Sequence, residues 1–165
     1  IKRIESSIID LIDKKNLTNK IGGYESSDFG RMDLNQIIGK YSSKKVDIKE
    51  KVLLIKLSKS FRYNMSEVEL YDYTRGIWII SEEKRNEIEY VFCVYDGIVQ
   101  ETYNVIDWFP GGSTYSVRHD KEEWKIHERW EFVGNISHEM RKKYRHKSVS
   151  HYFPSGSRNP VRYTF

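Results

Sequence analysis

Short apolar runs with the periodicity of β-strands dominate the chain beyond residue 50. Six runs predict strands: "KVLLIKLS" (51–58), "IWII" (77–80), "IEYVFCVY" (88–95), "IVQETYNVI" (98–106), "RWEFVG" (129–134) and "VRYTF" (161–165). The third run is apolar on both faces, which predicts a central strand. Asp96-Gly97 separates it from the fourth run, and this dipeptide favours the positive φ angles of a tight hairpin turn.

Helical patterns flank these strands. "NMSEVELYDYTRG" (64–76) predicts a short helix, with Ser66 and Glu69 in capping-box spacing and Gly76 beyond its end. "SHEMRKKYRHKS" (137–148) predicts a second helix, capped by Ser137. Apolar residues at helical spacing in residues 1–15 predict an amphipathic helix, followed by a polar linker with a short helix near 34–38.

The element order predicts two parts: an N-terminal helix and linker at residues 1–49, and a domain at 50–165. Strands dominate the domain and consecutive strands are joined tightly. The predicted fold class is therefore α+β and mainly β, a partly closed antiparallel barrel with a few flanking helices and the N-terminal helical extension.

Charge and cysteine content indicate the kind of partner and the cellular compartment. The formal net charge is +4, and seven Lys or Arg residues lie between Ser137 and Phe165 against a single acid, Glu139. This excess favours a polyanionic partner at the C-terminal end. One cysteine, Cys93, excludes an internal disulfide and fits a reducing compartment, and no apolar run is long enough to span a bilayer. The expected localisation is cytoplasmic, without a membrane partner.

Several enzyme classes lack their motifs. A single cysteine excludes the usual zinc-deaminase ligand set, and the five histidines form no H-E-x-x-H pair. No P-loop or G-x-S-x-G elbow is present. We therefore expect no metal, no cofactor and no catalytic residue. One alternative stays open: Asp107, Glu123 and Lys125 have the order of a metal-dependent nuclease site.

Aromatic residues beside turn-forming residues are the main binding candidates. Trp108 and Phe109 precede Pro110-Gly111-Gly112, and Trp78 follows "TRG" at a strand start. Such rings either fill the core or stack on a planar ligand, and base stacking contributes about 1–3 kcal/mol per base. Glu101 lies in phase with apolar strand positions, so it needs a partner such as Arg75 if that face is buried.

Four segments together resemble the PUA-like superfamily, the small barrels that include PUA, ASCH, EVE and SRA-type domains. They are "LYDYTRGIW" (70–78), "YVFCVYDGIVQETYNVIDW" (90–108), "RWEFVG" (129–134) and "SVSHYFPSGSRNPVRYTF" (148–165). The resemblance is to members found beside or fused to prokaryotic restriction and defence nucleases. It implies nucleic-acid binding, with a flipped or modified base in an aromatic-walled pocket of the barrel.

The candidate residues follow from the aromatic argument, the basic helix and this resemblance. The candidates for the base pocket are Trp78, Trp108, Tyr115, Tyr152, Phe153 and Asn159. The candidates for phosphate or base-edge contacts are Arg75, Arg118, Lys142, Lys143, Arg145 and Lys147.

The leading hypothesis is a non-catalytic reader of nucleic acid, DNA in preference to RNA, that serves a restriction or phage-defence system. A nuclease or defence protein would be its partner or a fused domain. A module that binds a protein or a small ligand is the second hypothesis, and the metal-dependent nuclease is the third.

Overall fold

The computed structural model describes residues 32–117, 128–156 and 158–165. The helices are α1 (Leu34–Ser42), α2 (Glu67–Arg75), α3 (Glu82–Glu87) and α4 (His138–Tyr144), with a 3₁₀ turn at Ser150–Tyr152. The strands are β1 (Val52–Lys56), β2 (Trp78–Ile79), β3 (Tyr90–Tyr95), β4 (Ile98–Pro110), β5 (Arg129–Ile136) and β6 (Val161–Tyr163).

The six strands form one sheet in the order β2-β5-β4-β3-β1-β6, which curls into a nearly closed barrel. This confirms the predicted α+β class and the barrel with a few helices. The sheet is mixed, however, because β1 runs parallel to β3 while the other neighbouring strands are antiparallel. The connection from β1 to β3 passes through α2, β2 and α3, and such a crossover is what a parallel pair requires.

Two clusters of buried side chains lie on opposite faces of the sheet. The inner cluster, around Leu53, Tyr103 and Phe132, is covered by residues of α2 and the segment before it. The outer cluster, around Phe92, is covered by α4 and by the chain near Ile48. Each buried strand therefore packs on both faces, which explains why β3 has no polar side.

Local sequence chemistry accounts for several element ends. In α2, the Ser66 side chain accepts from the backbone N–H of Glu69, whose side chain accepts from the backbone N–H of Ser66, so the predicted capping box is confirmed. Asp96 and Gly97 both have positive φ, at 51° and 75°, which confirms the predicted turn between β3 and β4.

Two β-bulges in β4 change which side chains face the interior. The register against β5 shifts between Val105 and Asp107, and the register against β3 shifts between Cys93 and Val94. Strict alternation from Tyr103 would turn Asp107 inward and leave Trp108 in solvent. The extra residue, Ile106, reverses this, so that Trp108 packs beside Phe132 on the inner face.

The predicted N-terminal helix at residues 1–15 lies outside the described residues. The boundary near residue 49 stays a prediction. Residues before it contact the barrel, because the backbone N–H of Val46 donates to the carbonyl of Ser148 and Ile48 is buried. Within the described part of the chain, none of the helices has the length and apolar character that crossing a bilayer requires.

Candidate functional site

Three tryptophans lie on the inner face at one end of the sheet. Trp78 of β2 is directly opposite Trp130 of β5, and Trp130 is directly opposite Pro110 of β4. Because side chains alternate along a strand, Trp108 lies on the same face as Pro110 and is diagonal to Trp130. All three indoles are half-buried. We call Trp78, Trp108 and Trp130 the tryptophan face.

The tryptophan face spans three neighbouring strands: Trp78 and Trp108 are two strand spacings apart, about 10 Å, and offset along the strands by two residues, about 7 Å. The Trp78 indole N–H donates to the carbonyl of Thr74 at 2.8 Å, which fixes that ring against the end of α2. Trp108 packs on Phe132 with 5.8 Å between ring centroids. Both rings are thus held by the core while part of each stays accessible.

Arginine side chains border this face. The guanidinium of Arg85 lies 3.5 Å from the centre of the Trp130 ring, and one of its nitrogens donates to the carbonyl of Ile80. Arg129 donates to the carbonyl of Ile77, while its Nε atom is buried without a hydrogen-bond partner among the described residues. A planar cation stacked on an indole occupies the position that a nucleobase would take.

Trp130 and Arg85 are functional candidates that sequence reasoning missed. The run "RWEFVG" predicts a strand but does not show which strand lies beside it. Trp130 gains its significance only from lying between the strands that carry Trp78 and Trp108. Arg85 lies in α3, a helix that the apolar pattern did not predict.

A buried ionic network anchors the loop after β4. Arg75 and Asp72 form an ion pair at 2.7 Å, and their side chains are 4% and 5% exposed. Arg75 also donates to the Thr114 hydroxyl and to the carbonyl of Tyr115. The second oxygen of Asp72 accepts from the backbone N–H of Val117 at 2.6 Å. The guanidinium of Arg75 therefore faces the protein's own loop.

Buried Glu131 adds a second anchor for the same loop. Its carboxylate accepts from the backbone N–H of Thr114 at 2.8 Å and from the Thr114 hydroxyl at 2.7 Å. Gly76 makes this contact possible, because a Cβ atom there would lie 2.8 Å from the Cβ of Glu131. In the anchored segment, Tyr115 is 87% exposed. Arg118, three residues further along the chain, lies outside the described residues.

Three predicted pocket residues lie away from the tryptophan face. Tyr152 and Phe153 pack against the outer cluster, and the Tyr152 hydroxyl accepts from the backbone N–H of Ile48 at 3.0 Å. Asn159 is exposed, and its side-chain oxygen accepts from the backbone N–H of Val161 at 2.9 Å. The structure thus brings Trp78 and Trp108 together and places Tyr152, Phe153 and Asn159 elsewhere.

The predicted basic residues of α4 and the following turn divide into two groups. Lys143 pairs with Glu50 at 2.5 Å, and Arg145 donates to the carbonyl of Gln100 at 2.9 Å. Lys142 and Lys147 are exposed and form no ion pair with described residues. Lys142 and Lys147 therefore have ammonium groups available to a phosphate.

Lys147 lies near Lys44 and Lys45, which belong to the segment that the sequence predicts as a linker. Ser148 forms a parallel bridge with Lys45, and its backbone N–H donates to the carbonyl of Lys44. All three lysines are exposed. We call Lys44, Lys45 and Lys147 the lysine patch, and it lies beside the start of β4 because the Lys147 carbonyl accepts from Val99.

An open groove of about 620 Å³ lies between the start of α2 and the start of α4. Its lining residues are Glu67, Asn104, Asn135, Ile136, Ser137, His138, Glu139 and Arg141. Among the predicted site residues that the structure describes, none lines this groove. At its edge, Arg141 contacts buried Glu101 at 2.9 and 3.1 Å and exposed Glu67 at 2.7 Å.

The partner of Glu101 is Arg141 rather than the suggested Arg75. Glu101 lies opposite Cys93 and its carboxylate accepts from Arg141 of α4, whereas Arg75 binds Asp72 and the loop after β4. Hydrogen bonds that Arg141 donates to Glu101 and to Glu67 raise the pKa of Arg141 despite its partial burial. The same contact with Arg141 lowers the pKa of Glu67. Arg141 therefore stays charged and links the two helices across the groove.

Of the residues considered for enzyme chemistry, Cys93 is buried and Asp107 is exposed. Burial raises the pKa of the Cys93 thiol to about 12, as expected for a core residue rather than a nucleophile. Asp107 is exposed, whereas Glu123 and Lys125 lie outside the described residues, so the nuclease triad stays a hypothesis. Within residues 32–117, 128–156 and 158–165, no cluster of three His, Cys, Asp or Glu residues is arranged to hold a metal ion.

No protein-family model, curated protein or solved structure matches this chain.

Proposed function

We propose that this chain is a non-catalytic nucleic-acid-binding module that holds an unstacked base against the tryptophan face. The observation that carries the proposal is the alignment of Trp78, Trp108 and Trp130 on one face, with the Arg85 guanidinium stacked on Trp130 at 3.5 Å. A base that replaces Arg85 over Trp130 would gain stacking energy and release a cation to pair with the adjacent phosphate.

The lysine patch supports a polyanionic partner. Lys147 is next to Val99, and Trp108 lies further along the same bulged strand, so the lysine patch and the tryptophan face are at most about 30 Å apart. One DNA strand advances about 3.4 Å per nucleotide along a duplex, so roughly nine base pairs span this distance. We expect a duplex longer than this to contact both surfaces and a four-nucleotide strand to contact only one.

The choice of ligand rests on the resemblance to PUA-like barrels. That resemblance supports DNA in preference to RNA, a methylated or hydroxymethylated base, and a role in prokaryotic restriction or phage defence. In such a system, cutting would be done by a partner nuclease or a fused domain.

The test is fluorescence anisotropy with labelled 20-base-pair duplexes that carry one plain, methylated or hydroxymethylated cytosine, at low and moderate salt. Trp130→Leu is the informative variant, because Trp130 is not part of the inner cluster. Loss of one base-stacking contact, about 1–3 kcal/mol, weakens binding roughly 5- to 150-fold. Tyr41→Leu is the matched control, since it removes an aromatic ring that is 43% exposed on α1.

Three results would refute the proposal: negligible binding to every duplex, binding that salt does not change, or equal affinity of the wild type and Trp130→Leu. Salt-dependent binding without preference for a modified cytosine would support the nucleic-acid-binding module and refute only the assignment of a modified base.

A second candidate function is supported by the groove, which offers the amides of Asn104 and Asn135 beside Arg141 and His138. These groups suit a small polar ligand with both donors and acceptors. Thermal-shift screening of nucleosides and amino acids tests this candidate. A ligand-induced shift that Asn135→Ala abolishes would support it, and the absence of any shift would dismiss it.

A further inference from the structure

Helix α1 inserts the ammonium group of Lys40 between two tyrosine rings and a carboxylate. The Lys40 Nζ atom lies 5.6 Å from the centre of the Tyr63 ring and 6.0 Å from that of Tyr95. It also lies 3.4 Å from a carboxylate oxygen of Asp96 and 3.5 Å from the Tyr63 hydroxyl. We call Tyr63, Tyr95 and Asp96 the aromatic cage.

The cage walls belong to segments other than α1, and Phe61 packs against both rings. The rings of Tyr63 and Tyr95 are nearly perpendicular, at 88°, with centroids 5.7 Å apart. Phe61, which is 4% exposed, stacks on Tyr95 at 4.4 Å and meets Tyr63 edge-on at 5.1 Å. Two perpendicular aromatic faces beside an acid are an arrangement that attracts a cation through ring quadrupoles as well as charge.

Helix α1 itself makes a limited contact with the barrel. Gly39 is its buried residue, packed closely against His146. Leu34, Ile38 and Tyr41 on the same helix are between 43% and 59% exposed. In contrast, the Lys40 side chain is 16% exposed, so it is more buried than these three apolar side chains.

We propose that the aromatic cage is a binding site for an organic ammonium group and that Lys40 is its intramolecular occupant. The cage offers two oxygen acceptors, on Asp96 and Tyr63, so it selects cations that keep an N–H group. Primary, monomethylated and dimethylated ammonium groups meet this requirement. A quaternary ammonium keeps the ring contacts and loses the hydrogen bonds.

This site is distinct from the tryptophan face and does not depend on nucleic-acid binding. Its ligand is the ammonium group of a free amine or of a lysine side chain on another polypeptide. Binding of such a ligand would displace Lys40 and release the end of α1, so occupancy of the cage and docking of α1 exclude each other.

The test removes the internal occupant and supplies a substitute. Lys40→Ala is titrated with n-butylammonium, N,N-dimethylbutylammonium and tetramethylammonium, with binding followed by NMR shifts of the tyrosine ring protons. We expect the variant to bind butylammonium roughly tenfold more tightly than the wild type, and tetramethylammonium more weakly than the dimethyl compound. A parallel titration with Nα-acetyl-lysine methylamide, which mimics a lysine side chain in a polypeptide, distinguishes that ligand from a free amine.

A second substitution identifies the site. Asp96 has a φ of 51°, a conformation that asparagine adopts readily, so Asp96→Asn removes the charge with little backbone cost. In the Lys40→Ala background it should weaken butylammonium binding roughly tenfold. Lys49→Ala is the matched control, because it removes an exposed lysine outside the cage and should behave like the wild type.

Two outcomes would overturn the proposal: no saturable shift in folded Lys40→Ala, or equal binding with and without Asp96→Asn. Circular dichroism melts establish that each variant is folded. Should Lys40→Ala fail to fold, Lys40→Gln keeps a polar side chain at this position while removing the positive charge. It should then bind butylammonium more tightly than the wild type, and equal affinity would refute the inference.

Discussion

Replacing Arg75 by methionine separates a structural role for this arginine from its predicted contact with phosphate. Arg75 is 4% exposed and bonds to Asp72, to the Thr114 hydroxyl and to the carbonyl of Tyr115. These groups belong to α2 and to a loop about 40 residues away. We therefore expect the substitution to act on stability and on the loop rather than directly on a ligand.

The expected loss of stability follows from the burial of the Arg75–Asp72 ion pair. Methionine leaves the Asp72 carboxylate without its cation, although the backbone N–H of Val117 still donates to it. Breaking a buried ion pair from one side costs about 3–5 kcal/mol. For a chain of this size, each kcal/mol lowers the melting temperature by about 2–4 °C, so we expect a decrease on the order of 10 °C.

Two measurements check the expectation. Urea unfolding gives the change in the free energy of unfolding, and chymotrypsin digestion with mass spectrometry reports cleavage after exposed Tyr115. Cleavage should accelerate in Arg75→Met, because the bonds that hold the loop are gone. Arg62→Met is the matched control: Arg62 is 47% exposed and 3.9 Å from Glu69, so its removal should cost at most about 1 kcal/mol.

The structural reasoning fails if Arg75→Met keeps the stability of the wild type within about 1 kcal/mol and its loop is cleaved no faster. If DNA affinity nevertheless falls in that variant, Arg75 contacts the ligand.

Two further predictions concern pH and backbone packing. Burial alone would raise the pKa of Glu50, but hydrogen bonds from Lys143 and Tyr144 outweigh it and lower the pKa from 4.5 to about 2. The stability that Glu50 contributes is therefore present above pH 4.5 and is lost as the pH falls toward 2. The free energy of unfolding of Glu50→Gln should thus depend less on pH across this range, and an unchanged pH dependence would contradict the assignment. For Gly134→Ala, the added Cβ would lie 2.0 Å from the carbonyl oxygen of Asn104. The backbones must move apart, so chemical denaturation should show a loss of about 1–3 kcal/mol, and unchanged stability would contradict the register of β4 and β5.

Local patterns predicted the elements well. The helix at residues 64–76 begins and ends where its capping residues indicate, because the caps act within one turn. The apolar run at 88–95 is a central strand, as its lack of a polar side indicates. Helix α3 was missed, since "EEKRNE" has no apolar stripe and is held by its Ser81 cap and its neighbours.

The candidate site was predicted only in part. Aromatic residues beside turns indicated Trp78 and Trp108, which the structure places on one face. Trp130 was not singled out, because its value comes from the strand order β2-β5-β4. The sequence predicts Lys44 and Lys45 in a linker. It does not show that they lie near Lys147, because that proximity depends on a bridge between segments about 100 residues apart.

The sequence by itself determined the turn at Asp96-Gly97, the Ser66 cap of α2 and the strands, because each depends on neighbours within a few residues. The predicted cap of α4 was wrong, because the Ser137 side chain makes no cap hydrogen bond. Only the tertiary structure decided which side chains meet. The bulge at Ile106 turns Trp108 inward. Asp72 binds Arg75, whereas Glu101 binds Arg141. The insertion of Lys40 between Tyr63 and Tyr95 likewise joins distant segments. Such contacts depend on register and burial across the whole sheet, and no short stretch of sequence encodes them.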